Sequence, residues 1–230
     1  MNTNPIYCAI DTSSIDDALK LVKETAPYIG GVKLGLEFFT SCGIEGVETI
    51  AKSEIPLFLD LKLYDIPNTV KKSLKNILSL KPTYTTLHLS GGSDMLRECV
   101  NLKKELNSST KLIGVTMLTS FNDNSMNEIG INKSINENVK KLSHLALNTG
   151  MDGIVCSPME IKDVKNSFGS KLDVVVPGIR NQSDNLYDQK RTLSAKEAIN
   201  HGADIIVIGR PITKANSPAD AAKFFQQSIK

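Results

Sequence analysis

The sequence predicts an α/β protein in which residues 1–230 form a single-domain (β/α)8 TIM barrel. Two observations predict this fold class. Eight short apolar runs, rich in β-branched residues, alternate along the chain with longer amphipathic stretches. Eight such units in 230 residues average about 29 residues each, which is the size of a minimal βα unit, and eight parallel strands are enough to close a barrel. Barrels of this class commonly use about 200–250 residues as one domain.

The strand-like runs are short and are bounded by Gly, Pro, Asp or Ser, which is typical of buried parallel strands. Because both faces of such strands are covered, they are apolar along most of their length. The eight predicted strands are Ile6–Ile10, Gly31–Leu34, Leu57–Asp60, Thr85–Leu89, Leu112–Met117, Gly153–Cys156, Asp173–Val176 and Asp204–Ile208.

Four of the intervening stretches carry an apolar stripe at helical spacing. In the first of them, Ile15–Thr25, either Ser13 or Ser14 is placed to cap the helix. In the last of them, Pro218–Ile229, a proline stands near the helix start, where its missing N–H costs little. The other predicted helices are Val70–Leu80 and Val139–Leu147.

An open, doubly wound sheet is the alternative architecture for the same alternation of elements. Its nucleotide-binding version carries a GxGxxG motif after the first strand, and this sequence has none there, so the barrel is favoured. No composition break indicates a second domain. The segment from 178 to 192 is rich in Asn, Asp, Gln and Arg, which predicts a solvent-facing loop after strand seven. Loops of that length in a compact domain are often functional.

Charge and cysteine usage exclude several classes of protein. With 27 basic and 25 acidic residues the net charge is +2, far from the basic excess of a nucleic-acid binder. No stretch of about 18 apolar residues is present to span a membrane, and residues 1–5 lack the basic and apolar regions of a signal peptide, so none is expected. The four cysteines lack the close spacing of a zinc site or a disulfide framework, which predicts a reduced, cytoplasmic protein with no metal. Cys8 and Cys156 lie inside apolar runs, where we expect them to be buried.

In a barrel the active site forms where the strands end, so the polar residues at those positions are the candidates. Asp60 and Lys62 stand two apart on the third strand, which points both side chains to the same side, into the barrel mouth. Lys33 lies between two apolar neighbours on the second strand and also points inward. With Asp65, which follows the third strand, four charges of alternating sign are expected to converge. A structural ion pair at a strand end is the alternative for Asp60 and Lys62 taken alone.

A second group of candidates follows the last two strands. Gly209 and Arg210 come directly after strand eight, where barrels commonly bind phosphate. Arginine suits this task because it can bind two phosphate oxygens at once. A surface arginine after a tight turn is the alternative. Arg180 and Gln189, in the long loop, could fold over the same anion. His88 is expected to be a hydrogen-bonded core histidine, whereas His144 and His201 are expected to be structural or surface residues.

The segment from Phe58 to Thr69, FLDLKLYDIPNT, resembles the signature of the orotidine 5′-phosphate decarboxylase family. The resemblance extends across the chain. After His88 this sequence has Leu89 and Ser90, where the family more often has small residues. The further matching segments are Ala9–Asp11, Val32–Gly35, Val115–Ser120, Pro177–Arg180, Asp188–Gln189 and Val207–Ile212.

The resemblance implies a homodimeric barrel that converts orotidine 5′-phosphate to UMP, the last step of pyrimidine synthesis, without metal or organic cofactor. It implies that Lys33, Asp60 and Lys62 form a charged array, that Asp65 reaches in from the partner subunit, and that Lys62 protonates C6. The remaining implied contacts are Asp11, Lys33 and Thr69 at the ribose, Thr119 and Ser120 at the pyrimidine, and Pro177, Arg180, Gln189, Gly209 and Arg210 at the phosphate end.

Two rival functions use similar residues. A metal-dependent sugar-phosphate lyase on a related barrel also has an Asp-x-Lys-x-x-Asp strand, but it needs an acidic metal ligand on strand two, where this chain has Lys33. A non-catalytic phosphate-binding barrel would have no reason to point four charges inward. The carbanion left by decarboxylation needs a preorganised field and a nearby proton donor, and the ammonium of Lys62 offers both. The sequence therefore favours the decarboxylase.

Overall fold

The computed structural model describes residues 4–180 and 192–230. Eight parallel strands form a closed barrel in chain order, and the first strand pairs with the last. The predicted (β/α)8 fold is therefore confirmed, and the open sheet is excluded. The strands are β1 (Ile6–Ile10), β2 (Gly31–Leu34), β3 (Leu57–Leu63), β4 (Tyr84–His88), β5 (Lys111–Val115), β6 (Gly153–Val155), β7 (Asp173–Val176) and β8 (Ile205–Ile208).

Helices surround the barrel, and the four predicted helices are among them. Within the part of the chain that the structure describes, none is long and apolar enough to cross a membrane. The helices are α1 (Ile15–Thr25), α2 (Leu36–Ala51), α3 (Pro67–Ser79), α4 (Gly92–Glu105), α5 (Asp123–Glu128), α6 (Ile135–Thr149), α7 (Ile161–Phe168), α8 (Ala195–Asn200), α9 (Arg210–Thr213) and α10 (Pro218–Ser228).

Element boundaries differ from the predicted ones mainly where a polar or proline residue extends an element. Helix α3 begins at Pro67 rather than Val70, because proline is well tolerated in a first helical turn. Strand β3 continues three residues beyond the predicted end at Asp60. Of the two candidate caps of α1, Ser14 is the one observed, and its hydroxyl accepts the N–H of Asp17 at 3.2 Å.

Alternation along the strands separates an inner core from an outer one. Leu59 and Leu61 of β3 pack outward among the residues that contact the helices, as predicted. Phe58 points inward and meets Tyr7 and Tyr84 edge to face, with ring centroids 6.3 and 5.8 Å apart, and the two tyrosine rings meet each other at 5.5 Å. These rings fill the N-terminal half of the barrel interior, which leaves the C-terminal half for polar residues. The rest of the inner core is Ala9, Ile113, Val175, Ile205 and Val207.

The N-terminal rim is held by aspartates that stand at strand starts. Asp152 accepts the N–H of Leu112 at 2.7 Å, and Asp204 accepts the N–H of Val174 at 2.7 Å, so each carboxylate ties its own strand to the one before it. Each also pairs with a lysine from outside the barrel. The pairs on this rim are Lys103–Asp152 at 2.7 Å, Lys111–Asp173 at 2.5 Å and Lys165–Asp204 at 2.6 Å.

The predicted burial of Cys8 and Cys156 is confirmed, since neither residue has any exposed surface. None of the four cysteines, all of which lie in the described ranges, forms a disulfide. Burial, and then the charge of Asp11, raise the pKa of Cys8 to about 12. The thiol of Cys8 is therefore protonated at neutral pH and acts as a small apolar side chain.

Candidate active site

A cavity of about 490 Å³ opens at the C-terminal ends of the strands. Its floor is apolar and includes Ala9 and Phe58 of the inner core. Most residues predicted for the site from the sequence line this one cavity. They are Asp11, Lys33, Asp60, Lys62, Thr119, Pro177, Arg180, Gly209 and Arg210.

Four charged side chains form a row of alternating sign along one wall. Lys33 Nζ lies 3.6 Å from Asp11 Oδ1 and 3.5 Å from Asp60 Oδ2. The same Oδ2 accepts a hydrogen bond from Lys62 Nζ at 2.9 Å. Asp60 is only 7% exposed, so the two ammonium groups are needed to offset the loss of its hydration.

The surroundings of Asp60 set its protonation state. Burial alone would raise the pKa of this carboxyl, because it disfavours the charged form. Lys33, Lys62 and a hydrogen bond from Thr86 act in the opposite direction and together lower the pKa below its ordinary value. Asp60 is therefore ionised at neutral pH, and the row carries two negative and two positive charges.

A missing side chain makes room for this row. A methyl group at Gly35, just after β2, would lie 3.0 Å from Lys33 Nζ and 3.4 Å from Asp11 Oδ1. Contacts as short as the first are rare in proteins, so a larger residue would push the ammonium of Lys33 away from its partners. Glycine at this position allows Lys33 to lie between Asp11 and Asp60.

Two arginines also line the cavity, one after β7 and one after β8. Arg180 is buried, its backbone N–H donates to Leu193 O at 3.0 Å, and its Nη1 donates to Ile179 O at 2.7 Å. Arg210 begins α9 directly after β8 and lines the same cavity. A short helix therefore follows strand eight directly. Gln189 lies outside the described residues.

Asp65 does not join the row of charges within its own chain, so of the four charges expected to converge, Lys33, Asp60 and Lys62 lie together and Asp65 does not. Its side chain is exposed beyond the end of β3, where it accepts the N–H of Ile66 at 2.7 Å. It forms no salt bridge with another described residue. The chain turns outward here because α3 must start on the outer layer. Thr69 and Ser120 are also exposed, and neither is among the described residues that line the cavity.

His88 ends β4 near Lys62, and the structure corrects one expectation about it. Its buried Nδ1 has no hydrogen-bond partner among residues 4–180 and 192–230, so it is not a fully bonded core histidine. The ring lies 5.6 Å from that of Tyr64. Burial, and then the charge of Lys62, lower the pKa of His88, so the imidazole is neutral at pH 7.

The sequence did not point to four residues that belong to this site. Glu37, Thr213 and Lys214 line the cavity at its rim. Thr86 is fully buried behind the charged row and hydrogen-bonds to Asp60. One signal could have revealed Thr86: it precedes His88 by two positions on β4, so it points to the same side of the strand.

Comparison with known proteins agrees with this geometry. Residues 4–225 match the family described as orotidine 5′-phosphate decarboxylase / HUMPS. The orotidine 5′-phosphate decarboxylase of Ehrlichia chaffeensis is 48% identical over 230 residues, covering 100% of this chain and 98% of that protein. The enzyme of the same name from the Wolbachia of Brugia malayi is 46% identical, covering 98% and 99%.

A solved structure extends the likeness to three dimensions. The crystal structure of orotidine 5′-phosphate decarboxylase from Lactobacillus acidophilus superposes with a TM-score of 0.85 at 33% sequence identity, over 99% of both chains. The family match spans nearly the whole barrel, including every strand that contributes to the cavity. With this fold, this row of charges and relatives of this identity, the chain belongs to the orotidine 5′-phosphate decarboxylase / HUMPS family.

Proposed function

We propose that this protein decarboxylates orotidine 5′-phosphate to UMP, the final step of de novo pyrimidine nucleotide synthesis. The observation that carries the proposal is the ammonium of Lys62, held 2.9 Å from Asp60 Oδ2 inside the cavity, with the ammonium of Lys33 3.5 Å from the same oxygen. The names of the relatives support the same reaction. A cavity of about 490 Å³ has the size of a site for one small ligand.

The chemistry follows from the position of Lys62. The bond between C6 of the pyrimidine and its carboxylate breaks, carbon dioxide leaves, and the electron pair stays on C6 in the plane of the ring. The ring π system cannot delocalise that pair, so a fixed positive charge has to stabilise it. Lys62 supplies the charge and then donates a proton from Nζ to C6, which completes UMP. Solvent afterwards returns a proton to the lysine, and no cofactor takes part.

Other residues of the predicted site would hold the parts of the substrate that do not react. We assign Asp11 and Lys33 to the ribose hydroxyls, Thr119 and Ser120 to the pyrimidine, and Arg180 with Arg210 to the phosphate. Because the phosphate lies far from C6, its binding energy can be used to orient the substrate. The remaining assignments are Thr69 at the ribose, and Pro177, Gln189 and Gly209 at the phosphate end.

The position of Lys33 argues against the metal-dependent lyase. Its ammonium lies within 3.6 Å of carboxylate oxygens of both Asp11 and Asp60, so a cation already occupies the space between these two potential ligands. A divalent metal ion there would be repelled by the ammonium. The proposed reaction is accordingly independent of metal.

The proposal is tested by mixing the purified protein with orotidine 5′-phosphate in excess EDTA and following the loss of absorbance of the substrate. Stoichiometric formation of UMP and carbon dioxide is the expected result, and Lys62→Ala prepared in parallel controls for contaminating enzyme. Turnover that disappears in EDTA and returns with magnesium, or no turnover at all, would contradict the proposal. In that case sugar phosphates are the next substrates to assay.

We further propose a homodimer in which each site is completed by Asp65 of the other chain. Asp65 points away from its own cavity and is flanked by two exposed apolar side chains, Tyr64 at 62% and Ile66 at 67%. Leu36, at the start of α2, is 55% exposed. Exposed apolar residues of this size are typical of an interface. Thr69 follows on the same exposed segment, so the proposal covers both residues.

The remaining assignments concern the whole chain. We propose that residues 1–230 act as one catalytic domain in the cytoplasm. Its four cysteines form no disulfide in the described structure, which supports a reducing compartment. The near-neutral charge of +2 supports a small-molecule substrate rather than nucleic acid as the partner.

A further inference from the structure

The hydroxyl of Thr86 connects the two central residues of the charged row. Thr86 lies on β4 and has no exposed surface. Its Oγ1 donates a hydrogen bond to Asp60 Oδ1 at 2.9 Å and accepts one from the backbone N–H of Lys62 at 2.8 Å. One buried hydroxyl therefore contacts the carboxylate of one residue and the backbone of the other.

The backbone at Lys62 needs such a contact. Between Leu59 and Leu63 strand β3 advances four residues while its pairing on β4 advances only from Thr85 to Leu87, so β3 bulges at this point. Lys62 takes the left-handed conformation with φ of 51°, which is strained for a residue other than glycine. A strained conformation persists only where its surroundings hold it. The bond to Thr86 replaces the ladder hydrogen bond that the bulge removes.

The same hydroxyl also fixes the rotation of the Asp60 carboxylate. Oδ2 faces both ammonium groups, with Lys62 at 2.9 Å and Lys33 at 3.5 Å. Oδ1 is bonded to Thr86 on the other side. With each oxygen assigned to its own partner, the carboxylate has one orientation, and that orientation aims Oδ2 at Lys62.

We propose that Thr86 is a positioning residue for decarboxylation, which holds the Lys62 ammonium and the Asp60 carboxylate in register with each other. It is not among the described residues that line the cavity, so it acts through these two residues and not on the substrate. The proposal rests on the roles given to Lys62 and Asp60 under the proposed function.

The neighbouring residue provides a matched control. Thr85 is equally buried on the same strand, and its Oγ1 donates to the backbone oxygen of Leu59 at 3.0 Å. It therefore also bonds across to β3, but on the outward side and without contact to the charged row. Replacing either threonine by valine keeps the shape and removes one buried hydroxyl.

The experiment compares Thr86→Val, Thr86→Ser and Thr85→Val by kcat, KM, UMP affinity and melting temperature. We expect Thr86→Val to lower kcat by about 10- to 100-fold, because misplacing a reacting group by a fraction of an ångström has effects of this order. UMP affinity should change less than about threefold, since the residues assigned to the phosphate and ribose are untouched. Thr86→Ser should recover most of kcat, and Thr85→Val should keep kcat while losing similar thermal stability.

Three results would overturn the proposal. The first is a kcat of Thr86→Val within about twofold of wild type. The second is an equal loss of kcat in Thr85→Val. The third is failure of both Thr86→Val and Thr86→Ser to fold while Thr85→Val folds. Crystal structures of the two valine variants separate this proposal from the proposed reaction. The Lys62–Asp60 contact should be lost in Thr86→Val and kept in Thr85→Val, whether or not the wild-type protein decarboxylates orotidine 5′-phosphate. An intact contact in Thr86→Val contradicts the positioning role by itself.

Discussion

At the scale of single residues, Asp60 is the centre of the site because its two oxygens have different partners. One oxygen faces the ammonium groups of Lys62 and Lys33, and the other accepts a hydrogen bond from the hydroxyl of Thr86. Burying this carboxylate without its partners would cost free energy of folding, and so would burying either lysine alone. The three groups therefore depend on one another, and replacing one changes the field of the whole row.

Lys62→Ala should nearly abolish kcat while UMP still binds measurably. The reason is that the ammonium acts on the carbanion at C6, which forms only during reaction, so its removal affects the transition state more than the bound nucleotide. Single-turnover rates and calorimetric binding of UMP measure the two effects separately. Substantial kcat combined with weak binding would instead make the row on β3 a binding or structural feature.

Arg210→Ala should instead act mainly on the binding of the substrate. Leaving a bound phosphate without its charged partner typically costs about 2–5 kcal/mol, which should appear as a strongly raised KM. A fall in kcat should accompany it where phosphate binding drives closure of the site. Phosphite dianion should stimulate turnover of a substrate that lacks the phosphate in wild type, and much less in Arg210→Ala. Equal stimulation of both proteins would remove Arg210 from the phosphate site.

Asp60 also predicts a pH dependence of stability. Its pKa in the folded protein lies below the ordinary value of 3.8, so the unfolded chain takes up a proton first as the pH falls. The ionised carboxylate therefore stabilises the fold above that ordinary value, and the contribution is lost as the pH drops through the folded pKa. Denaturant unfolding of wild type and Asp60→Asn at several pH values should give a stability gap that narrows below pH 3.8. A gap that is constant with pH would contradict the assigned shift.

At the scale of elements, the aspartates at strand starts have a different task from those at strand ends. Asp152 receives both the N–H of Leu112 and the ammonium of Lys103, each at 2.7 Å. It thus connects β5, β6 and α4 at the N-terminal rim. Because these carboxylates lie at the opposite end of the barrel from the cavity, they serve the stability of the barrel and not its chemistry.

Asp152→Ala should accordingly lower the free energy of unfolding by about 1–3 kcal/mol, the usual range for a lost hydrogen bond to a charged group, and leave kcat unchanged. Glu98→Ala is the matched control, because it removes a carboxylate from a similar lysine pair, Lys71–Glu98 at 2.7 Å, on exposed helix surface. Exposed pairs contribute little, so the control should unfold like wild type. The comparison requires urea unfolding of the three proteins, and equal destabilisation by both changes would contradict the role of Asp152.

At the scale of the whole molecule, shared sites make activity a property of two chains. Lys62→Ala and Asp65→Ala chains should each be inactive as homodimers. A mixed dimer contains one site with both wild-type residues, so random exchange should recover about one quarter of wild-type activity. Native mass spectrometry verifies that mixed dimers have formed. Mixed dimers without activity would show that Asp65 does not act on the partner's site.

The sequence by itself determined what depends on local periodicity. Alternation along a strand places Asp60 and Lys62 inside and Leu59 and Leu61 outside, and the structure confirms it. Helical spacing and capping located α1 to the residue. These features follow from two to four neighbouring residues, because side-chain direction repeats every two residues in a strand and about every 3.6 in a helix.

Only the tertiary structure decided what depends on register between strands and on the path of the chain beyond them. The bulge of β3 at Lys62 and its bond to Thr86 arise from the pairing of two strands more than 20 residues apart. The outward turn of Asp65, which the sequence placed in the convergent set, follows from where α3 docks on the barrel. Such contacts join residues that are distant in sequence, so no local pattern encodes them. The partners of each charge depend on which strands the closed barrel brings together.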